Sequence, residues 1–376
     1  MLEIVDNFGA NSLIVAKEVI CDSKIIEQHD NIDFRYLHVK ILRDRQIRRE
    51  LLSMGLLWRQ ILNDRLAYWS LRTFGVDDWL HQFDELGAYW VGEALLRQID
   101  VIGLNEVVQA FQMPAHALGP DCIFTFISDD DPAASSNRIG GLLTQMYGRP
   151  HVKDFVAALI DAGPGSHLVV CEDGLWTGIE LRNLLGRLSV GGDLERAVQG
   201  KRITFRHCVV TDYGLWIVKQ YLDCKKLNFV DLSLGDKQRS IQVLARDLSE
   251  TDIRSRWDMP PIEFEDWLTT HVHPIAFQDS TLWRGRQEQA QQICTEIGKQ
   301  LIDKYAIDGK KDWREEVRAG FALGAGRFGS AMVFAHSVPK VCLPLFWLEG
   351  RITLGSISCD WKPLFYDARR TGSSWP

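Results

Sequence analysis

One apolar run constrains the fold of this chain more than any other feature, because it ends in two acids and a turn that opens a helix. The run reads Val169-Val170-Cys171-Glu172-Asp173-Gly174-Leu175-Trp176-Thr177-Gly178. Its first residues are apolar and β-branched, which predicts a strand buried on both faces, as in parallel sheets. Thr177 and Gly178 precede a helical pattern and predict a helix N-terminus. We therefore expect Glu172 and Asp173 at the carboxyl end of a buried strand.

Short apolar runs alternate with helical patterns through the middle of the chain. The predicted strands are Cys122–Ile127, His167–Cys171, Ile203–Val210 and Leu227–Leu232. The predicted helices are Arg138–Tyr147, Val152–Ile160, Ile179–Leu188 and Tyr213–Leu222. This alternation predicts an α/β fold with a parallel sheet flanked by helices, whose ligand lies at the carboxyl ends of the strands. Asp129 and Asp212 also follow predicted strands and are expected at that edge.

The flanking regions have a different character, and together with the middle they predict three parts. Residues 1–118 form a mainly helical N-terminal region, because apolar residues recur at helical spacing from about Ile41 to Phe111. Residues 119–235 form the α/β core. Residues 236–376 form a helical insertion or cap, followed by late strands that complete the core.

Within the third part, three helices and a late strand are predicted. The helices are Ile262–Thr270, Leu282–Tyr305 and Trp313–Leu323, and the strand is Val341–Trp347. Pro344 interrupts that strand and places it at an edge or a bulge. The apolar segment Trp361–Phe365 is expected to dock on the protein rather than extend into solvent.

Composition and charge exclude several classes of protein. The formal net charge is −7, which makes nucleic acid an improbable partner. The basic segment 35–49 is a local exception that a solvated helix face also explains. No leader-like N-terminus and no 18-residue uncharged apolar stretch occurs, so we expect a cytoplasmic protein without a membrane segment. The 8 cysteines lack a Cys-x-x-Cys pair and are expected to be reduced core residues.

The acids and the turn suit the binding of a ribose phosphate. Adjacent carboxylates can accept hydrogen bonds from two ribose hydroxyls, so Glu172 and Asp173 are the candidate ribose ligands. The hydroxyl of Thr177 and the backbone amides of residues 174–178, at the start of a helix, can hold a 5-phosphate. An ordinary strand-to-helix turn with an acidic cap is the structural alternative.

A second candidate loop follows the first predicted strand of the core. Its polar members are Ser128, Asp129, Asp130, Asp131, Ser135, Ser136, Asn137 and Arg138. The hydroxyls, the amide and the arginine can coordinate anionic oxygens. Three consecutive acids would repel a bare diphosphate, so Mg²⁺ is the expected cofactor, held by Glu172 and Asp173 through the ligand. A plain N-cap cluster explains the same residues equally well, and Asp212 is either a base-side contact or an N-cap.

Two further patterns have weaker support. His271 and His273 would share one face of a strand, but nothing nearby completes a zinc site. The glycine-rich segment 324–330 follows a predicted helix, which argues against a dinucleotide turn. It could instead form a loop over the site, with Arg327 reaching a phosphate.

Residues 172–178 resemble the diphosphosugar motif of type I phosphoribosyltransferases, which has two acids, three intervening residues and Thr-Gly. The resemblance implies that Glu172 and Asp173 bind the ribose, that Gly174, Leu175, Trp176, Thr177 and Gly178 hold the 5-phosphate, and that the 128–138 loop occupies the place of the pyrophosphate loop. The motif, the 128–138 loop and residues 82–87, 343–347 and 361–365 together make the chain look like the phosphoribosyltransferase-like proteins of bacterial conflict systems. That likeness implies a role in antiviral defence.

One position departs from the family pattern. In the 6-oxopurine branch the residue before the threonine is an acid that acts near the base, and here it is Trp176. Indole cannot take up a proton, which disfavours transfer to hypoxanthine or guanine by that route. Trp176 is therefore expected either to stack on a flat ligand or to pack.

The leading hypothesis is a pentosyl-group transferase that binds phosphoribosyl diphosphate, or a nucleotide made from it. Glu172, Asp173 and Arg138 are its candidate catalytic residues, and Ser136 assists Arg138 at the leaving group. The rival hypotheses are a nucleotide-sensing or interaction module that retained the cradle without turnover, and a helical scaffold whose α/β part is structural. The N-terminal helical region is the candidate surface for a protein partner.

Overall fold

The structure of this protein, a computed structural model, describes residues 71–367 apart from 74–75, 114–121, 130–133, 149–150, 234–237, 246–247, 249–266, 309–317, 319 and 335. The basic segment 35–49 lies outside the described residues, as do Asp130, Asp131 and most of the predicted helices Ile262–Thr270 and Trp313–Leu323.

The described strands and helices alternate through the centre of the chain. The strands are β1 (Leu71–Thr73), β2 (Asp100–Ile102), β3 (Cys122–Phe126), β4 (Val152–Asp154), β5 (His167–Leu175), β6 (Arg202–Thr211), β7 (Val230–Ser233), β8 (Arg239–Ile241), β9 (Met332–Phe334), β10 (Gly350–Leu354), β11 (Ile357–Trp361) and β12 (Phe365–Asp367). The α-helices are α1 (Val76–Glu85), α2 (Tyr89–Leu96), α3 (Leu104–Phe111), α4 (Ser135–Tyr147), α5 (Phe155–Asp161), α6 (Ile179–Leu188), α7 (Asp212–Lys225), α8 (Ser280–Trp283) and α9 (Gln287–Asp308).

A six-stranded parallel sheet forms the centre of the fold. Its order is β4-β3-β5-β6-β7, and β8 pairs with the distal part of β6. The predicted α/β class with a parallel sheet flanked by helices is therefore confirmed. The chain passes from β3 to β4 on one side and returns to β5 on the other, so the winding reverses between β3 and β5. Ligands of doubly wound sheets bind at such a reversal, outside the carboxyl ends of the strands.

Helices cover both faces of this sheet, because the residues of its central strand alternate between two apolar clusters. Leu168 and Val170 of β5 pack in a cluster with α5, α6 and α7. Val169 and Cys171 pack in a second cluster with α3 and α4. A strand buried on both faces needs an unbroken apolar sequence, which explains the run that ends at Cys171.

Several predicted elements differ at their boundaries from those that form, and two of them differ in type. The stretch predicted as one helix, Val152–Ile160, is divided between β4 and α5. Asp154 explains the division, because its side chain accepts a 3.0 Å hydrogen bond from the Ala157 amide and caps α5. The predicted strand Val341–Trp347 does not form; Cys342 makes an isolated bridge to Ser330, and a 3₁₀ turn occupies Pro344–Phe346.

The late strands pair outside the central sheet. Strand β9 pairs with β2, β12 pairs with β1, and β10 and β11 form a hairpin. The segment Trp361–Phe365 docks as expected: Trp361 and Phe365 are buried, and the Trp361 and Phe83 rings meet edge to face at 4.9 Å. The C-terminal part is therefore joined to the region around α1 and β2. The three-part division at 118/119 and 235/236 stays a prediction.

Most of the described thiols, although not the exposed Cys224 or the half-buried Cys359, agree with the expectation of reduced core cysteines. The described cysteines are free, and Cys122, Cys171, Cys208, Cys294 and Cys342 are buried. Burial raises the pKa of Cys208 to about 12, so its thiol is protonated at neutral pH. Among the helices in the described part of the chain, none has both the length and the apolar character that a membrane span requires.

We expect the stability of the protein to fall in mildly acidic solution, in part through His167 at the start of β5. Burial, aided by Arg202 and opposed by Asp231, lowers the pKa of His167 below its ordinary value of 6.5. Below about pH 6.5 the unfolded chain thus binds more protons at this position than the native protein does. The free energy of unfolding from urea titrations should fall less between pH 7 and pH 5 in His167→Gln than in the wild type.

His81→Gln is the matched control, since the His81 side chain is 68% exposed on α1. Its pH dependence should follow that of the wild type. Identical slopes for His167→Gln and wild type would contradict the assignment.

Candidate functional site

The candidate site lies where the winding of the sheet reverses, at the carboxyl ends of β3 and β5. Strand β5 continues to Leu175, so Glu172 and Asp173 lie within the strand rather than after it. Glu172 is in register with His207 of β6, and Gly174 is in register with Val209. The two acids are thus fixed by backbone pairing, as a rigid binding element requires.

The two acids contact different partners. Consecutive residues of a strand point to opposite faces. Glu172 Oε2 lies 3.3 Å from Nε2 of His207, whose side chain is 3% exposed. Asp173 Oδ2 lies 3.6 Å from Nε2 of the fully buried His336 and accepts a 3.4 Å hydrogen bond from Ser337 Oγ. Each acid is therefore backed by its own buried histidine.

Asp173 connects three distant parts of the chain. Burial favours the neutral form of its carboxyl, but the interactions with His336, the Ser135 hydroxyl and the Gly174 amide outweigh burial and lower the pKa of Asp173. Burial, opposed by Asp173 and aided by Arg138, lowers the pKa of His336. At neutral pH the pair is thus a carboxylate beside a neutral imidazole.

Negative charge accumulates at this edge of the sheet. Loss of solvent around the carboxyl raises the pKa of Glu180 in the first turn of α6, with Lys340 opposing. The charges of Glu172, Asp173 and Asp129 raise that pKa further. These four acids therefore share one electrostatic neighbourhood.

The Thr177–Gly178 turn begins α6 under close steric constraint. Gly178 has φ +70°, and a Cβ there would lie 2.7 Å from the Gly214 carbonyl oxygen. Gly214 is equally constrained, because its own Cβ would lie 2.2 Å from the Trp176 carbonyl oxygen. Thr211 caps α7 and also donates to that carbonyl. The turn is thus packed directly on the start of α7, and only glycine fits at positions 178 and 214.

A segment from the C-terminal part covers the other side of the turn. A Cβ at Gly326 would lie 3.1 Å from Thr177 Cγ2, so the segment's backbone lies against the threonine. This segment carries Arg327, and its Ala325 amide donates to the Lys340 carbonyl at 2.9 Å. The glycine-rich segment 324–330 thus lies beside the turn.

The loop after β3 is built largely by internal hydrogen bonds. Asn137 holds the Asp129 backbone through bonds of 3.2 and 2.7 Å, and the Ser128 amide donates to Asp154 at 3.1 Å. Helix α4 begins at Ser135, earlier than the predicted Arg138, and Ser135 contacts Asp173. Ser136 is half-buried, and Arg138 is only 5% exposed. The side chain of Arg138 therefore lies in the interior, near His336.

Asp212 acts on the backbone of a neighbouring segment. Its Oδ1 accepts hydrogen bonds from the amides of Tyr213 and Val243, at 2.8 and 2.9 Å, and its Oδ2 accepts one from Leu244 at 3.2 Å. The adjacent Thr211, rather than Asp212, supplies the side-chain cap of α7. These bonds anchor residues 243–244 to the first turn of that helix.

Trp176 packs against its own strand. A Cβ at Gly174 would lie 2.3 Å from the indole Nε1, so the ring lies over the bare glycine backbone. The ring contacts the cluster that contains α3 and α4 and a further cluster around Tyr213 and Phe328, and it meets Phe334 edge to face at 6.4 Å. The ring thus packs on the protein, and its stacking on a flat ligand stays a prediction. The indole N–H is buried with no acceptor among the described residues, an arrangement that costs about 1–3 kcal/mol.

The described residues hold no group of three or more His, Cys, Asp or Glu side chains arranged to bind a metal ion. The ring of His271, one of the two histidines considered for a zinc site, stacks on Trp267. Mg²⁺ seldom needs such a cage, because it keeps several waters and binds through one or two carboxylates plus substrate phosphates. The oxygen donors Asp129, Glu172, Asp173 and Glu180 fit that mode of binding.

Sequence reasoning missed His207, Glu180, His336 and Ser337. The register of two parallel strands would have pointed to His207, once β5 and β6 were paired. Glu180 lies in the first turn of a correctly predicted helix. No local pattern marks His336 or Ser337, because they reach Asp173 only through the folding of the C-terminal part.

We expect Gly178→Ala to destabilise the protein more than Gly191→Ala. Gly191 has φ +81° and open space around it, so alanine there costs about 1–2 kcal/mol of left-handed backbone strain. Gly178→Ala adds the clash with Gly214, on the order of 1–3 kcal/mol. Urea unfolding of both variants measures the difference, and equal losses would contradict close packing of the turn.

Comparison with known proteins agrees with this arrangement. The family model described as PRTase-CE matches residues 76–366, well over half of the chain. No curated protein matches the chain, and no solved structure matches it. The match spans the central sheet, the turn at Thr177 and the segment that covers it. The chain therefore belongs to the PRTase-CE family of phosphoribosyltransferase-like proteins.

Proposed function

We propose that this protein binds phosphoribosyl diphosphate, or a nucleotide made from it, with Mg²⁺, and transfers or hydrolyses the pentosyl group. The observation that carries the proposal is the Thr177–Gly178 turn at the start of α6, placed at the reversal of the sheet and preceded by two acids in β5. Family membership supports the same ligand class.

The turn is the proposed cradle of the 5-phosphate. The first amides of α6 lack helical carbonyl partners, although the Ile179 amide donates to Thr177 Oγ1 at 3.4 Å, and the helix dipole favours an anion at this end. Thr177 adds a hydroxyl, and Arg327 and Lys340 bring positive charge from the C-terminal segment. Because Gly178 and Gly214 leave no room for adjustment, the amides are oriented before the ligand arrives.

Glu172 and Asp173 are the proposed ribose and metal ligands. Asp173 is ionised at neutral pH, as its lowered pKa requires, and Asp129 and Glu180 add negative charge close by. Such a field repels a bare diphosphate and favours its Mg²⁺ complex. The acids thus select a metal-bound ligand and hold the sugar ring against the rigid strand.

Pentosyl transfer requires little chemistry from the protein beyond positioning and charge. The sugar passes through an oxocarbenium-like state, which nearby carboxylates stabilise, while Mg²⁺ would neutralise the departing diphosphate. Ser136 can reach the leaving group from the start of α4. Arg138 is buried, so we propose that it positions His336 and Asp173 rather than touching the diphosphate.

A nucleotide-sensing module without turnover is the second candidate. Trp176 packs where a proton-transferring acid acts in one branch of the resembled family, and the Asp212 carboxylate is already bonded to backbone amides. Either function suits a cytoplasmic defence protein, a setting suggested by the resemblance to bacterial conflict systems and by the free buried thiols.

Thr177→Val should weaken binding of phosphoribosyl diphosphate in the presence of Mg²⁺. Valine keeps the methyl group that lies against Gly326 but removes the hydroxyl that would bond to the phosphate. A lost hydrogen bond to a charged group corresponds to about a tenfold or greater loss of affinity. Isothermal titration of wild type and variant gives the ratio.

Thr295→Val is the matched control, because Thr295 donates to Gln291 within α9, away from the turn. It should bind like the wild type. The absence of binding by the wild type, or equal affinities for wild type and Thr177→Val, would refute the proposed cradle.

Pyrophosphate release separates the two candidates. Incubation of the wild type with phosphoribosyl diphosphate, Mg²⁺ and a panel of bases should release pyrophosphate, and Asp173→Asn should reduce the rate at least about tenfold by removing a charge from the sugar-binding acids. Asp193→Asn, in the exposed turn after α6, should retain the wild-type rate. Tight binding with no pyrophosphate after prolonged incubation would favour the sensor.

A further inference from the structure

Trp176 carries an unused hydrogen-bond donor in the middle of the proposed site. Its indole Nε1 is buried without an acceptor among the described residues. Indole donates and never accepts, so a water or ligand oxygen is the group that can satisfy it. Buried donors are nearly always paired, and each exception calls for an explanation.

The position of the ring is set by the sequence rather than by chance. Only glycine at position 174 leaves room for it, since a Cβ there would lie 2.3 Å from Nε1 and 2.4 Å from Cε2. The Trp176 backbone is fixed as well, because its carbonyl accepts from Thr211 and touches Gly214. A change of rotamer would therefore move the side chain without moving the turn.

The ring lies between the two halves of the proposed ligand site. Asp173 precedes Gly174 directly, and Thr177 follows Trp176 directly. A pentose phosphate that spans the acids and the turn passes this ring, and the bare Gly174 backbone under the indole becomes accessible once the ring turns outward.

We propose that Trp176 is a ligand-contacting residue whose indole N–H turns away from Gly174 and donates to an oxygen of the bound pentose phosphate. This inference rests on the proposed function and adds a specificity-determining contact to it. In the free protein the ring covers the glycine; in the complex its N–H gains the acceptor it lacks. As a donor without acceptor capacity, Trp176 selects ligands that present an oxygen there.

The test compares Trp176→Phe, Trp176→His and wild type by isothermal titration with phosphoribosyl diphosphate and Mg²⁺. Phenylalanine keeps an apolar ring and removes the N–H, so affinity should fall on the order of fivefold to tenfold. Histidine keeps a ring N–H and should retain more affinity than phenylalanine, although it packs less well. Equal affinities for wild type and Trp176→Phe would overturn the inference.

Trp267→Phe is the matched control. Its indole N–H is also buried without an acceptor among the described residues, but its ring stacks on His271 and lies beside Tyr213 rather than over Gly174. Removing this N–H should leave the affinity unchanged. If Trp267→Phe loses as much affinity as Trp176→Phe, the inference is overturned, because the loss then reflects the apolar core.

The indole ¹⁵N–¹H signal of Trp176 provides a second readout. The signal is the one missing from the spectrum of either Trp176 variant, so one folded variant suffices to identify it. It should shift downfield in wild type when phosphoribosyl diphosphate and Mg²⁺ are added, and a signal that stays in place while the ligand binds would overturn the inference. Absence of any wild-type binding would instead refute the proposed function.

Discussion

The structure around the site depends on one constraint: a carboxylate near the end of a buried strand must find hydrogen-bond donors. Strand β5 is covered on both faces and continues past its apolar residues to Leu175, so Asp173 enters the strand with only 16% of its side chain exposed. An ionised group there is costly unless it is paired. Its partners come from Ser135 at the start of α4 and from His336 and Ser337 beyond β9. The acid therefore determines how the C-terminal segment meets the sheet.

The same segment then completes the site. Lys340 follows the residues that contact Asp173, and its carbonyl accepts a hydrogen bond from the Ala325 amide. The next residue, Gly326, lies against Thr177. The positive charge of Lys340, which acts on Glu180, is thereby brought beside the negative edge. In the proposed function the acids would bind hydroxyls and a metal-bound diphosphate, while the helix start and the basic side chains would bind a phosphate. Family membership over residues 76–366 includes this segment, so the site and its cover belong to one family unit.

Local patterns predicted the elements of the sheet but not the contacts between distant segments. The bounds of α6, Ile179–Leu188, follow from helical spacing after Gly178, and the alternation of strands and helices indicated the parallel sheet. The prediction of one helix over 152–160 is wrong, because the side chain of Asp154 caps α5 and so outweighs the helical spacing of the residues before it. The strand at 341–347 was wrong because an apolar run fits a buried 3₁₀ turn as well as a strand. The prediction that Glu172 and Asp173 bind the ribose together came from their adjacency in the sequence. Because neighbouring residues of a strand point to opposite faces, each acid instead contacts a different histidine in the structure.

The glycines at the turn link stability to binding. Gly174, Gly178 and Gly214 each allow an approach that a Cβ would prevent, and together they press Trp176, Thr177 and the start of α7 into one arrangement. The free energy of folding maintains this arrangement before any ligand is present, so the amides of α6 need no reordering when an anion binds, and preorganisation of this kind strengthens binding. The unpaired indole N–H of Trp176 is the cost that remains in the free protein. In the proposed complex, a ligand oxygen that accepts from this N–H would remove this cost and so contribute to affinity.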